Sequence, residues 1–292
     1  MKKIIVSFAV IVFLVSCKEN LTTGQDMNKE KEIPSIVAVH PNDVMVGISL
    51  TVAESKRLIA KGIAKHPLVQ QKMKSGTIII TRGTTNTYIA EELAGLDAPH
   101  GRFVTGNIMP VNGQSIAFGG DKIPEIVLVN GELTEMSFKD ALASLKEDDL
   151  VFKGGNLLNY EKKQAAVTVG AADGGTVGRI QPYTNDGPAH LIVPIGLEKE
   201  VYGDLNEYEV TLAADVQKKG FIPRVIVHRN AEIFTEIEAI RLFGNVSVIP
   251  YASGGIGGSE GGKSFVVYGV PDEVEKVLQV IAGIQGEKGF IN

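Results

Sequence analysis

The fold is decided by one stretch of sequence, GTIIITRGTTNTYIAEEL, which occupies residues 76–93. It begins with a glycine and a run of β-branched residues, 77–81, and this pattern predicts a buried strand. Residues 82–87 hold arginine, glycine, asparagine and three threonines, which predicts a loop. Helix-forming residues follow from Tyr88 to Leu93. The stretch therefore predicts a strand, a loop and a helix in succession, which is the repeating unit of an α/β fold.

Similar apolar runs recur along the chain, at residues 126–129, 150–152, 166–169 and 191–195. They are short and nearly continuous, and glycine-rich or helical segments separate them, as in a mostly parallel sheet covered by helices. We assign this α/β domain, with glycine-rich loops at its strand ends, to residues 44–204. Residues 205–292 mix strands and helices in a different order. They predict a smaller α+β domain of ferredoxin-like type.

The first residues of the chain predict an export signal. Lys2 and Lys3 precede an uncharged apolar run at residues 4–15, which is short for a membrane-spanning helix. The segment LVSC at residues 14–17 resembles the bacterial lipobox, at which signal peptidase II cleaves before a cysteine that becomes diacylated. A single transmembrane anchor with an incidental cysteine is the alternative interpretation.

The lipobox resemblance implies that residues 1–16 are a lipoprotein signal peptide and that Cys17 becomes the acylated N-terminus. Residues 17–43 then form a lipidated, flexible tether, because they are mostly polar and carry a Lys-Glu-Lys-Glu run. Acyl chains of the palmitate type contribute about 0.8 kcal/mol of membrane-binding free energy for each methylene that they bury in the bilayer. We therefore expect a lipoprotein of the bacterial cell envelope, anchored to a membrane outside the cytoplasm.

Composition excludes several classes of function. The formal charge of the 292 residues is -5, which argues against a nucleic-acid partner. The one cysteine is Cys17, so cysteine catalysis and thiolate metal sites are not expected in the body. The five histidines show no metal-ligand spacing, and no candidate strand is followed by the G-x-G-x-x-G of dinucleotide sites. The sequence predicts no metal and identifies no cofactor or oligomeric state.

Glycine-rich loops follow several predicted strands, and ligands of open α/β sheets lie outside the carboxyl ends of strands. Hydroxyl groups, backbone N–H groups and cations gathered there favour an anion. A structural role is the alternative, because threonine also caps helices. Asp173 and Glu198 are the candidate acid–base residues. The candidate ligand-binding residues are Arg82, Gly83, Thr84, Thr85, Asn86, Thr87, Lys153, Gly154, Gly155, Asn156, Gly174, Gly175 and Thr176.

Residues 76–93 resemble the first strand, loop and helix of the superfamily of ribose-5-phosphate isomerase, glucosamine-phosphate deaminase and CoA-transferase. The resemblance implies that Gly83, Thr84 and Thr87 hold a sugar phosphate, whereas Arg82 and Asn86 depart from the family loop. Asp173 is a loose counterpart of a family aspartate. The whole chain also resembles uncharacterised bacterial and archaeal α/β proteins with a similar K-G-x-N turn, which here lies at residues 153–156.

A phosphate-loop string, G-x-x-x-x-G-K-S, occurs at residues 257–264, but the next residues, 265–268, predict a strand instead of the required helix. The overlapping G-x-S-x-G string fails the same test. We interpret this segment as a glycine-rich connection between two strands, from which Lys263 could reach an anion. The leading hypothesis is a membrane-anchored protein that binds a small phosphorylated or carboxylated ligand. The alternatives are a sugar-phosphate isomerase, transferase or hydrolase using Asp173 or Glu198, and a non-catalytic interaction module.

Overall fold

The computed structural model describes residues 38–106, 120–220 and 222–290. From Ala38 onward the chain forms one compact unit. Its strands are β1 (Val44–Leu50), β2 (Thr77–Ile80), β3 (Ile126–Val129), β4 (Glu132–Leu133), β5 (Leu150–Phe152), β6 (Leu157–Asn159), β7 (Gln164–Val169), β8 (His190–Pro194), β9 (Arg224–Val227), β10 (Ala231–Phe234), β11 (Ser247–Ser253) and β12 (Lys263–Gly269). Its α-helices are α1 (Val52–Lys65), α2 (Pro67–Lys74), α3 (Thr84–Ala94), α4 (Phe138–Ser144), α5 (Gly175–Thr184), α6 (Leu205–Ala213), α7 (Glu236–Phe243) and α8 (Pro271–Ala282).

The predicted signal peptide at residues 1–16, Cys17 and the tether as far as residue 37 lie outside the described residues. Within the described ranges, no helix has the length and apolar character needed to cross a bilayer. The lipid anchor therefore stays a prediction from the sequence.

A six-stranded sheet with the order β10-β8-β5-β2-β3-β4 forms the centre of the fold. Strands β10, β8, β5 and β2 are parallel, whereas β3 and β4 are added antiparallel at one side. The three isoleucines of β2 and all of β5 are buried, because helices cover this part of the sheet. The α/β class is confirmed, and the central sheet is mixed. Its four parallel strands place their carboxyl ends at one edge.

The predicted strand–loop–helix at residues 76–93 is present as β2, a short loop and α3. Helix α3 starts at Thr84, earlier than expected, so that most of the predicted loop is the first turn of the helix. At the start of α1, Thr51 and Glu54 form the capping box that their spacing predicts. A local sequence signal therefore defines the start of α1, which packs against α3.

Two small antiparallel sheets complete the fold, with the orders β1-β12-β11 and β6-β7-β9. The apolar run at residues 166–169, expected in the parallel sheet, lies in β7, because a tight turn with Lys163 at φ 50 folds β7 back onto β6. The glycine-rich segment around residues 254–262 joins β11 to β12, which confirms that it connects two strands.

No ferredoxin-like domain is identified among the described residues. Residues 205–292 instead contribute strands to all three sheets: β9 pairs with β7, β10 pairs with β8, and β12 pairs with β1. The expectation failed because each of these strands has a hydrogen-bonding partner in the first part of the chain, although β12 also pairs with β11. The predicted division of the chain between residues 204 and 205 therefore does not separate one sheet from another.

Helices α1 and α7 pack closely where Gly62 faces Ala239. A β-carbon built on Gly62 would lie 2.6 Å from the β-carbon of Ala239 and 3.2 Å from the ring of Phe234. We expect Gly62→Ala to lower the free energy of unfolding by about 1–3 kcal/mol, because the two helices must separate to admit the methyl group. Urea unfolding measures the change.

The matched background for this substitution is Ala239→Gly, which removes the nearest atom. The Gly62→Ala change should cost clearly less free energy in that background than in the natural sequence. An equal cost in both backgrounds would show that the methyl group of Ala239 is not the cause, because its Cα, 2.8 Å from the added β-carbon, is present in both.

Candidate functional site

The carboxyl ends of β2 and β5 are joined by Asn86, at the start of α3. The Nδ2 atom of Asn86 donates hydrogen bonds to the carbonyl oxygens of Thr81 at 2.7 Å and Phe152 at 3.1 Å. The hydroxyl of Thr81 also donates to the Phe152 carbonyl, at 2.8 Å. These bonds hold the loop after β2 against the loop after β5. Two of the predicted loops are therefore neighbours.

Two polar atoms at this junction are buried without a hydrogen-bond partner in the part of the chain that the structure describes. They are the Oγ1 atom of Thr85 and the Oδ1 atom of Asn86, and their residues are 2% and 0% exposed. Buried polar atoms normally have a partner, and an unpaired one costs about 1–3 kcal/mol. Such unused capacity is typical of sites that a ligand completes.

Lys153 follows β5 directly, and its Nζ atom donates a 3.0 Å hydrogen bond to the carbonyl oxygen of Gly154. The side chain forms no ion pair with the carboxylates of the described residues. Burial, and next the neighbouring ammonium of Lys199, lower the pKa of Lys153 to about 8. Lys153 was predicted from the sequence as a ligand-binding residue, and its ammonium group has no counter-ion among the described residues.

Glu198 and Lys199 lie in a short 3-10 turn, Leu197–Lys199, just after β8. The carboxylate of Glu198 folds back over Gly196, where a β-carbon would lie 1.8 Å from its Oε2 atom. Glycine at 196 therefore leaves the space that the carboxylate occupies. The Nζ atom of Lys199 is 3.9 Å from Oε1 of Glu198, whereas Oε2 is buried with no partner among the described groups.

Glu236 is the first residue of α7 and follows β10 after Thr235. It is fully buried, and its Oε2 atom accepts a 3.0 Å hydrogen bond from the backbone N–H of Leu197. Burial, and next the charge of Glu198, raise the pKa of Glu236 above the ordinary 4.5 to about 7. The sequence analysis did not identify Glu236, because the strand that it follows, β10, was not predicted.

Lys56 is contributed by α1, and its residue is 8% exposed. Burial and the charge of Lys199 lower the pKa of Lys56 to about 8, although Glu198 and Glu236 act in the opposite direction. Its position within a charged Ser-Lys-Arg segment gave no signal that it would be buried. We define the strand-end cluster as Lys56, Lys153, Lys199, Glu198 and Glu236.

An open cleft with a volume of about 850 Å³ reaches the strand-end cluster at Glu198. Glu200, Asp204 and the strongly exposed Tyr202 also line this cleft. Lys263, expected to reach an anion, lines it too, but its Nζ atom lies 3.6 Å from the carboxylate of Glu200. The cleft gives a small molecule a route from solvent to the carboxylate of Glu198.

No protein-family model matches this chain, and neither a curated protein nor a solved structure does. Its chemistry must therefore be read from its own side chains.

Several of the predicted ligand-binding residues make contacts within the protein. Arg82 lies 3.3 Å from the Glu125 carboxylate, and Thr87 donates to the carbonyl of Gly83 at 2.9 Å. Asn156 donates a 2.7 Å hydrogen bond to the hydroxyl of Thr168 in β7. A β-carbon on Gly155 would lie 2.7 Å from the Ala166 carbonyl, so that position keeps β6 and β7 close. Thr84 begins α3 and is partly exposed.

The loop at residues 170–174 follows β7, which belongs to a different sheet from β2, β5 and β8. There the exposed Asp173 accepts a 2.9 Å hydrogen bond from the N–H of Gly175, while Gly174 has φ 79 and Thr176 is buried in the first turn of α5. The two predicted acid–base residues therefore lie in different places. Asp173 occupies the start of α5, whereas Glu198 lies among the lysines of the strand-end cluster.

Two histidines, His66 and His190, place their Nε2 atoms 3.0 Å and 2.8 Å from the carboxylate of Glu232. His228 is buried near Lys153, and burial together with that ammonium lowers its pKa to about 3. Across the described ranges, no group of three histidine, cysteine or acidic side chains has the arrangement of a metal site.

Proposed function

We propose that the protein binds a small anionic ligand, phosphorylated or carboxylated, at the strand-end cluster. The observation that carries this proposal is a group of three lysines in which Lys199 neighbours both Lys56 and Lys153, while two carboxyl groups, Glu198 and Glu236, lie near Lys56. The pKa of Glu236 is raised. The cluster therefore has an excess of positive charge near neutral pH. An anion would supply the missing counter-charge and strong, charge-assisted hydrogen bonds.

The loop after β2 supports the same proposal. The hydroxyl of Thr85, which has no hydrogen-bond partner within the described ranges, lies in the first turn of the eleven-residue helix α3, where free N–H groups and the helix dipole favour negative charge. The resemblance of residues 76–93 to the sugar-phosphate superfamily favours a phosphate, although Thr87 bonds to Gly83 and Arg82 pairs with Glu125.

The proposal includes the position of the protein in the cell. The lipobox-like segment around Cys17 would anchor the domain to a membrane of the bacterial envelope, outside the cytoplasm. The ligand would then be an anion present in that compartment. Palmitate labelling of the natural protein, compared with Cys17→Ala, tests this part, and equal labelling of both proteins would refute it.

A second candidate function is enzymatic, with Glu198 as the acid–base group. Its position beside Lys199, with one oxygen that has no partner among the described residues and a cleft leading to it, favours Glu198 over Asp173 in that role. In the non-catalytic alternative no acid–base group is required, and the positive charge of the strand-end cluster is sufficient to bind the anion.

Ligand-induced thermal shifts test the anion site. Inorganic phosphate, glucose phosphate, pyruvate and lactate are added at millimolar concentrations to the full-length protein in detergent. A ligand at ten times its Kd adds about 1.4 kcal/mol of stability, which raises Tm by about 3–5 °C in a domain of this size. We expect at least one of these anions to produce such a shift.

Lys153→Met combined with Lys199→Met should abolish the shift, because two of the three cations are then absent. Lys276→Met is the matched control, since Lys276 is exposed and contacts only Glu273 among the described residues. The proposal fails if no anion stabilises the natural protein, or if the double variant responds as strongly as the control.

A further inference from the structure

We propose that the outer face of the small sheet β1-β12-β11 lies against a lipid bilayer. The partner of this face would be the headgroup region of the membrane to which the chain is anchored. This inference rests on the lipid anchor of the proposed function, and it adds the orientation in which the anchored domain is held.

The two faces of this sheet differ in burial. Ile48 and Leu50 of β1 are buried, and so are Phe265 and Val267 of β12. Because side chains alternate along a strand, residues 45, 47 and 49 of β1 point away from this core, and all three are exposed. We define the outer face as residues 45, 47 and 49 together with the residues that the pairing of β12 and β11 places beside them.

The outer face carries no charged residue. Its β1 positions are methionine, glycine and serine, and the residues beside them in β12 and β11 are serine, valine, tyrosine, isoleucine and alanine. Of these, Tyr268 is buried, and the others are partly or fully exposed. Burying a charge costs far more free energy than burying a hydroxyl group. Such a face can therefore enter the headgroup region of a bilayer without burying a charge.

Large apolar side chains are exposed on this face and next to it. Met45 is 57% exposed, and Ile249 of β11 is exposed as well. Tyr251, 59% exposed, lies across the face, because a β-carbon built on Gly47 would be 3.8 Å from its hydroxyl oxygen. Ile256, in the loop that joins β11 to β12, is strongly exposed. Exposed apolar groups gathered in one place mark an interaction surface, and tyrosine is enriched at the headgroup level of membranes.

The chain outside the described residues favours a membrane as the partner. The described part begins at Ala38, and β1 starts at Val44, so the outer face includes the first strand after the predicted anchor. Cys17 lies 21 positions before Ala38. A flexible chain of that length has a root-mean-square span of about 25 Å. A tether this short gives a local concentration on the order of millimolar, so that a weak contact suffices to orient the domain.

Single tryptophans can report which surface meets the lipid, because the natural chain contains none. Met45→Trp and Tyr251→Trp place the reporter on the outer face. Leu133→Trp in β4 and Val210→Trp in α6 are the matched controls, since these residues belong to other parts of the fold and are 63% and 73% exposed. Each full-length protein is bound to vesicles of phosphatidylglycerol and phosphatidylcholine, with or without bromine on the acyl chains near the headgroups.

Bromine quenches tryptophan fluorescence at short range. We expect the two outer-face tryptophans to lose most of their fluorescence on brominated vesicles, and the two controls to lose little. Adding Met45→Glu to the Tyr251→Trp protein should restore much of the fluorescence, because the bilayer contact would then bury a charge. Adding Leu133→Glu to the same protein should leave the quenching unchanged.

Flotation of the natural protein with the vesicles separates this inference from the lipid anchor. If the protein floats but all four tryptophans are quenched equally, or only the controls are quenched, the anchor stands and the orientation is refuted. An outer-face tryptophan with blue-shifted emission and no quenching would indicate that a second copy of the chain covers the face, which also refutes the inference. If the protein does not float, the anchor and the orientation fail together.

Discussion

The ligand-free Glu236→Gln variant should be more stable than the natural protein at pH 8, by about 3 kcal/mol. The pKa of Glu236 is about 7 in the folded protein and about 4.5 in the unfolded chain, so the folded state holds the proton more tightly. The natural protein therefore loses stability as the pH rises from 4.5 to 7. Glutamine does not ionise, and its amide oxygen can still accept the hydrogen bond from Leu197.

Denaturant unfolding at pH 5 and pH 8 measures this effect. At pH 5 the natural carboxyl group is mostly protonated, and the variant should gain little stability. Glu135→Gln is the control, because Glu135 is exposed in the segment between β4 and α4. A stability gain of equal size at both pH values would contradict the role of the buried proton.

The Arg57→Met variant should lose about 3 kcal/mol of stability. Arg57, in α1, lies 2.5 Å from Glu91 and 3.0 Å from Glu92 of α3, and 2.9 Å from Glu287 near the C-terminus. Its guanidinium also lies 4.7 Å from the ring centre of Tyr88. Methionine would leave three carboxylates, each about one-fifth exposed, without the cation that separates them.

The pKa of Arg57 agrees with this expectation. Burial alone would lower it, but hydrogen bonds to Glu287 and Glu91 raise it above its ordinary value. The control is Lys61→Met, one turn later on α1, where Nζ is 3.4 Å from Glu92 but the side chain is 37% exposed. That variant should lose less than about 1 kcal/mol. Equal losses at the two positions, measured by urea unfolding, would contradict a special role of the Arg57 network.

Parts of the fold that depend on local sequence could be predicted, whereas strand pairing could not. The β-branched run of β2 and the capping box of α1 are local signals, and both are present in the structure. Residues 231–234, Ala-Glu-Ile-Phe, fit a helix as well as a strand, and hydrogen bonding to β8 decides for the strand. Similarly, nothing in the sequence of β7 distinguishes a partner in the central sheet from β6 and β9.

The candidate site could likewise be predicted only in part from the sequence. Lys153 and Glu198 follow apolar runs, so the rule that ligands lie at strand carboxyl ends identified them. Lys56 and Glu236 come from α1 and α7, far apart in the sequence, and only the packed structure brings them to the same place. Thr87 and Asn156 have the right chemistry, but their hydrogen bonds are used within the protein.

The pairing of β1 with β12 also sets the order in which the chain can be completed. Ile48 pairs with Phe265, so β1 stays without this neighbour until more than two hundred further residues have been synthesised. Contacts this distant in sequence form late and slowly.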